Sequence, residues 1–260
     1  VPENPFAFTP QQAAGFILIL MRTVGLFWVA PVFSSNTIPK MVKASWALLV
    51  AFLLFAVVPL PADIPTAGAF FGLAVVRELF VGFVLGFAAF LLFAGIQLAG
   101  QVVDIQMGLG MVNVIDPISS TQVSVMGQYF YLVATLVFLL VDGHHVLLRA
   151  LADSFTIIPL GQAHFNGTLA GLLNNQFSSI FWVAFRVGAP MIGTLFLTNL
   201  ALGVLSRTVP QMNVFIVGMP LNVGVGFAVV AISMGFYVYV LQGLFQGLPH
   251  DLGLLIHAMR

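Results

Sequence analysis

QMGLGMVNVIDPISSTQ, residues 106–122, is the stretch whose reading decides the fold of this chain. It lies between two long apolar runs, residues 70–103 and 123–141. Met107, Leu109, Met111, Val112, Val114, Ile115 and Ile118 make it too apolar for an ordinary solvated loop. Helix is nevertheless disfavoured. Gly108 and Gly110 each cost about 1 kcal/mol relative to alanine, and Pro117 pushes Asp116 out of the helical region. Ser119, Ser120 and Thr121 offer N-caps for the helix that follows. Non-helical backbone at membrane depth is tolerated only where it is buried in protein or lines a cavity. Two readings stand: a glycine-hinged plug that fills a cavity, or a re-entrant turn that only joins two helices.

The flanking runs belong to a membrane-derived polypeptide. The 260 residues are 60% hydrophobic and only 6% charged, with a mean hydropathy of +1.10. A soluble domain carries about 25% charged residues. The formal net charge is zero, so no basic face points to nucleic acid. The absence of cysteine excludes thiol catalysis, disulfides and thiolate metal sites. The first residues, VPENPFAFTP, lack a basic region, and Arg22 interrupts the first apolar run. A cleaved signal peptide is therefore not expected.

About 20 helical residues span the hydrocarbon of a bilayer. Residues 10–32 form the first candidate, with Thr9 as cap, Pro10 in the first turn and Pro31 at the close. A polar connector, residues 34–43, holds Lys40 and Lys43, the chain's two lysines; they place it on the cytoplasmic side if the flanking helices span. The second candidate, residues 44–58, ends at the proline-rich PLPADIP. Residues 67–103 are too long for one straight span and read as a long or broken helix. Within them, Gly82 and Gly86 have the spacing that lets two helices approach closely. Residues 141–162 read as a turn and a short amphipathic helix ended by Pro159-Leu160-Gly161. Residues 166–176 are a polar patch containing the sequon-like Asn166-Gly167-Thr168. Two more apolar runs, residues 177–205 and 213–245, flank a break at 206–213. The second is itself interrupted at Gly218-Met219-Pro220, and a mildly polar tail follows it. The expectation is an all-α chain of hydrophobic helical hairpins with Gly/Pro-broken helices.

No enzyme is expected. Asp142-Gly143-His144-His145 is the one cluster resembling a metal or acid–base site. Adjacent histidines on a helix point about 100° apart, so a polar turn at a helix start is the expectation, with no metal. Ser154 has no base at a diagnostic spacing and no Gly-x-Ser-x-Gly elbow surrounds it. No cofactor is expected.

The charges inside apolar runs carry more. Arg22, Arg77, Glu78 and Arg186 each cost at least ~2.5 kcal/mol at a bilayer centre. Arg77 and Glu78 are neighbours on different faces, so each is expected to find a partner on another helix or another subunit, unless it snorkels to an interface. Arg207, Gln211 and Asn213, in the break around Pro210, are expected to satisfy backbone groups there.

Residues 199–203, Arg207, Pro210-Gln211-Met212-Asn213-Val214-Phe215 and Gly218-Met219-Pro220-Leu221 together resemble the signature of the FliR family of flagellar type III export gates, whose virulence counterpart is SctT. The Asp142-Gly143-His144-His145 turn with Ser154-Phe155 and Pro159-Leu160-Gly161, and the stretch 100–117, are similar to that family's central segments. The resemblance covers essentially the whole chain. It implies a subunit that closes a helical ring with FliP-like and FliQ-like subunits, beside FlhB-like and FlhA-like components. That ring passes unfolded export substrates, in the bacterial inner membrane at the flagellar basal body. It further implies a FliP-like part, residues 1–165, and a FliQ-like part, residues 166–260. The loop after the third long segment would then plug the channel, with Met107, Gly108, Gly110, Met111, Val112, Val114, Ile115, Asp116 and Pro117 as its residues. The competing expectation, from another class, is a secondary transporter of a small solute, which also uses broken helices. Glu78 as the one carboxylate deep in an apolar run speaks against cation coupling.

Overall fold

A computed structural model describes residues 9–35, 37–61, 64–111, 124–209, 211 and 213–260. Every regular element among them is helical. In chain order these are α1 (Pro10–Val29), α2 (Lys40–Phe55), α3 (Gly68–Met107), α4 (Val125–Leu140), α5 (Gly143–Ile157), α6 (Gly167–Thr208) and α7 (Val214–Ala258), with a short 3-10 turn at Leu109–Met111.

Local chemistry sets the boundaries. Thr9 and Gln12 form a reciprocal capping box at the start of α1. α2 begins four residues before the expected position, because the Pro39 carbonyl accepts from the Val42 and Lys43 amides and carries the helix back through the lysines. α3 runs unbroken despite its glycines, for a packing reason given below. The polar patch at 166–176 is helical: the Asn166 side chain accepts from the Leu169 amide, so it caps α6 and the helix starts well before residue 177. α7 passes through Pro220 and takes in the tail as one helix. The break between α6 and α7 lies at 209–213; Pro210 and Met212 fall outside the described residues.

Four helices, α1, α3, α6 and α7, are long and apolar enough to cross a membrane, and α4 with α5 adds a fifth if that bent pair counts as one span. The last three of the four hold 40, 42 and 45 residues. At 1.5 Å per residue each is about 60–68 Å long, roughly twice the hydrocarbon thickness.

The chain divides into two compact units: residues 1–91, 142–176 and 247–260 form the first, and residues 92–141 and 177–246 the second. In the first unit, α1 and α3 meet backbone to backbone. A Cβ on Gly82 would fall inside the Arg22 carbonyl oxygen, and one on Gly25 inside the Leu79 carbonyl oxygen. Gly86 packs likewise on Leu26 and Ala30. The glycines at the 82/86 spacing are thus the contact surface of α3, and neighbouring backbone replaces the packing a side chain would have supplied. In the second unit Phe93, Phe138 and Phe245 form a mutually packed aromatic cluster. The buried Tyr237 hydroxyl donates to the Phe130 carbonyl at 2.6 Å.

Candidate functional site

The root of the 106–122 loop is built entirely within the second unit. α3 ends because Gly108 takes φ +83°, a left-handed value that suits glycine. The Gly108 amide then bonds back to the Ile105 carbonyl at 3.1 Å. Met107 is fully buried and lies against α7, where a Cβ on Gly226 would come within 2.7 Å of its Sδ and Cε. On the other side, Ser124 caps α4, its hydroxyl oxygen accepting from the Gly127 amide at 2.8 Å.

One side chain ties the two ends together. Asp104, one turn before the end of α3 and 5% exposed, accepts from the Ser124 hydroxyl at 2.5 Å and from the Met126 amide at 3.1 Å. A carboxylate among the first amides of a helix also opposes the positive end of its dipole. Beneath this tie, Gly100 of α3 and Gly127 of α4 touch so closely that a Cβ on Gly100 would overlap the Gly127 backbone. Beside the root lies a cavity of about 510 Å³, lined by Ile105, Gln106, Gly108, Asn199, Met219 and Asn222 among others. Asn222 donates to Asn199 Oδ1 at 2.7 Å, and its own Oδ1 is buried without a partner among the described residues.

Of the predicted plug residues, Met107, Gly108, Gly110 and Met111 are within the described part. Met107 is an anchor of the root, and Gly110 lies in the 3-10 turn. Val112, Val114, Ile115, Asp116 and Pro117 lie outside the described residues. Sequence reading missed Asp104 and Ser124. Asp104 follows directly on the apolar run without interrupting it. The available signal was a carboxylate twenty residues before a Ser-x-x-Gly helix start.

The first unit holds a second polar node. Arg22 of α1 and Glu78 of α3 are both 0% exposed and pair at 2.5 Å through Nε and Oε2. Arg22 Nη1 donates to Ser154 Oγ at 3.0 Å, Nη2 donates to the Ile158 carbonyl at 3.2 Å, and the guanidinium stands 4.2 Å from the centre of the Phe155 ring. Glu78 Oε1 accepts from the Gly161 amide at 2.8 Å. Each nitrogen of the cation thus has an acceptor, as a buried charge requires. The glycine crossing sets this register: Arg22 precedes Gly25 by three residues and Glu78 precedes Gly82 by four, so the backbone contact brings the two side chains level.

Arg77 points elsewhere on α3 but reaches the same turn, donating to the Gly161 carbonyl at 3.4 Å. Gly161 has φ +78°, so a turn that glycine tolerates is held on both sides by consecutive residues of α3. The Ser154 hydroxyl donates to the Leu151 carbonyl at 2.7 Å while accepting from Arg22. Its proton is committed to that carbonyl, so the hydroxyl links α5 to Arg22.

The remaining predicted residues are not brought to either node. Arg186 is exposed in the second unit, stacked on Trp182 at 5.5 Å. Arg207 is exposed in the last turn of α6, and Gln211 is exposed in the break. Asn213 caps α7 through its carbonyl and side chain, both facing the Ile216 amide. Asp142, His144 and His145 gather more closely than helical geometry predicts. Asp142 sits at φ 57°, its Oδ1 is 3.1 Å from His145 Nδ1, and the two imidazole centroids are 4.1 Å apart. One ligand atom from each lies within 4.8 Å of the others. Both Asp142 and His145 are largely solvent-exposed, and the cluster stands at the start of α5, where Asp142 is left-handed.

Residues 13–248 match the family described as bacterial export proteins, family 1. The chain is 35% identical over 234 residues to the flagellar biosynthetic protein FliR of Bacillus subtilis (strain 168), covering 89% of this chain and 90% of that one. It is 33% identical over 229 residues to the protein of the same name from Escherichia coli (strain K12), covering 87% of each. To that of Aquifex aeolicus (strain VF5) it is 30% identical over 231 residues, covering 88% and 89%.

Proposed function

This chain belongs to the bacterial export proteins, family 1, and from that premise we propose that it is a non-enzymatic subunit of a flagellar type III protein export gate. In this reading it joins FliP-like and FliQ-like subunits to form the channel for unfolded substrates, with FlhB-like and FlhA-like components nearby. It resides in the inner membrane at the flagellar basal body. Residues 1–165 take the FliP-like role and residues 166–260 the FliQ-like role. The loop at 106–122 is the seal of the channel.

The observation that carries the sealing role is the root of the loop. Asp104 joins the end of α3 to the start of α4, so a long apolar loop is secured at both ends by a bond made outside the loop itself. Such a loop can swing aside without unwinding the helices that bear it. Its residues carry one charge, Asp116, so closing desolvates little. Opening exposes apolar surface at about 25 cal/mol per Å² unless a substrate covers it, which favours the closed state at rest. Methionines suit a seal that must reshape around a passing chain. Long helices with extensive exposed apolar faces, such as those bearing Phe181, Phe196 and Ile232, fit a protein that buries those faces against partners and lipid.

Deleting residues 110–119 while keeping Asp104 and Ser124 tests the seal. Membrane conductance to ions should rise while the yield of the assembled complex stays normal. Unchanged conductance at normal yield would reduce the stretch to a connector. Co-purification from detergent tests the wider reading: the chain should carry two smaller hydrophobic proteins with it, and a lone monomer of normal stability would count against a gate.

A further inference from the structure

At one end of the α1–α2 hairpin, in the first unit, lies a cavity of about 570 Å³. Its walls are Val24, Phe27 and Trp28 of α1, Ser34 of the turn, and Lys40, Lys43, Ala44 and Ala47 of α2. The turn that shapes it is strained: Val32, a β-branched residue, stands at φ 71°, a conformation that persists only where its surroundings enforce it. No carboxylate among the described residues lines the cavity. The two lysines occupy the first turn of α2, which has no acidic residue and no side-chain cap. Cations at a helix N-terminus oppose the helix dipole. Lys43 Nζ gives one hydrogen bond to the Ser34 carbonyl at 2.9 Å, which leaves it two donors. Lys40 has no hydrogen bond or ion pair among the described residues. The cavity therefore gathers positive charge and free donors with nothing of opposite sign to meet them.

We propose that this cavity binds the headgroup phosphate of an anionic phospholipid, with its acyl chains along the adjoining flank of α2. Charge complementarity selects the anion, and the rest of the hairpin selects a lipid. Met41, Leu48 and Phe52 are exposed at i, i+7 and i+11, so an apolar stripe runs down the flank of α2 next to Lys40 and Ala44. Trp28, 72% exposed at the cavity, is the amphipathic side chain enriched at headgroup depth. A free phosphate would use the ammonium groups and leave this stripe uncovered.

The test uses the full chain with Trp46→Phe and Trp182→Phe, which leaves Trp28 as the single tryptophan of three. It is reconstituted in phosphatidylcholine bilayers with an equal mole fraction of brominated phosphatidylglycerol or brominated phosphatidylcholine. Trp28 fluorescence should be quenched more strongly by the brominated phosphatidylglycerol. A basic residue near an anionic surface is worth roughly a fivefold preference, so Lys40→Gln should lower the preference about fivefold and Lys40→Gln with Lys43→Gln should abolish it. Lys40→Arg should retain it. Lys40 is exposed, so the single variant folds even if the double one does not. Equal quenching by the two lipids would overturn the proposal. So would a preference untouched by Lys40→Gln, or loss of the preference on adding inorganic phosphate, which would mark a free-anion site. Loss of a co-purifying protein in Lys40→Gln, with no lipid preference in wild type, would reassign the face to a protein partner.

Discussion

Replacing Glu78 with glutamine removes one charge and turns the oxygen that accepts from Arg22 Nε into a donor. The amide oxygen can still accept from the Gly161 amide, as Glu78 Oε1 does at 2.8 Å, and the side-chain volume is kept. What changes is the counterion of Arg22, a guanidinium with 0% exposure. Breaking one side of a buried pair typically costs 3–5 kcal/mol, because the remaining charge is stranded. The Phe155 ring, 4.2 Å from the guanidinium, returns up to about 2 kcal/mol in a desolvated site, but it does so in wild type as well and cannot compensate the loss. A destabilisation of about 3–5 kcal/mol is therefore expected for Glu78→Gln, and a similar one for Arg22→Met. The double variant should behave differently. It strands no charge and Ser154 keeps its bond to Leu151, while the Ser154 oxygen and the Ile158 carbonyl lose the donors Arg22 gave them, at about 1–3 kcal/mol for a buried group left unpaired. Denaturation of the detergent-solubilised chain, followed by helicity and by Trp emission, would give all three values. The double variant should lose less than the sum of the two single ones. Additive losses, or a Glu78→Gln variant within about 1 kcal/mol of wild type, would show that the node is not a mutually dependent pair.

Gly82→Ala should cost about 3 kcal/mol or more, beyond ordinary overpacking, because its Cβ meets the Arg22 backbone and not a movable side chain; the same denaturation series measures it. Asp104→Ala removes the acceptor for Ser124 and Met126; a loss of about 1–3 kcal/mol and faster hydrogen exchange at the start of α4 are expected, with the first unit unaffected. Asn166→Ala should cost about 0.5–2 kcal/mol as a lost N-cap, with fraying limited to the first turn of α6 by hydrogen exchange.

The helical class was legible because hydropathy and glycine placement are local properties. The Gly82/Gly86 spacing announced a close helix approach, and α3 and α1 meet there. Pro10 and Thr9 announced the start of α1, where a capping box stands. Partners across distance were not legible. That Arg22 needed a counterion follows from its place in an apolar run, but Glu78 is 56 residues away and Ser154 132 away, and nothing in the local pattern names either. Asp104 was passed over because it follows an apolar run without interrupting it, although the backbone tucks it inside. The segment at 166–176 was read by its polarity, whereas the decisive property was Asn166 as a cap. The proline at 220 reads as a breaker, yet α7 continues through it, leaving the Ile216 carbonyl without its i+4 amide.

The spacing of the Arg22 node also orders events in time. Chains lengthen at about 5–20 residues per second during synthesis. Glu78 therefore follows Arg22 by about 3–11 s, and Ser154 follows it by about 7–26 s, given separations of 56 and 132 residues. Throughout the first interval α1 carries a cation whose partner in the folded chain has not yet been made. A lone arginine at mid-membrane is costly, so α1 cannot settle in its final place when it emerges. It must wait at the membrane surface or in the insertion machinery until α3 arrives, and the guanidinium is not fully enclosed until α5 does. The first helix to be made is thus among the last to be finished.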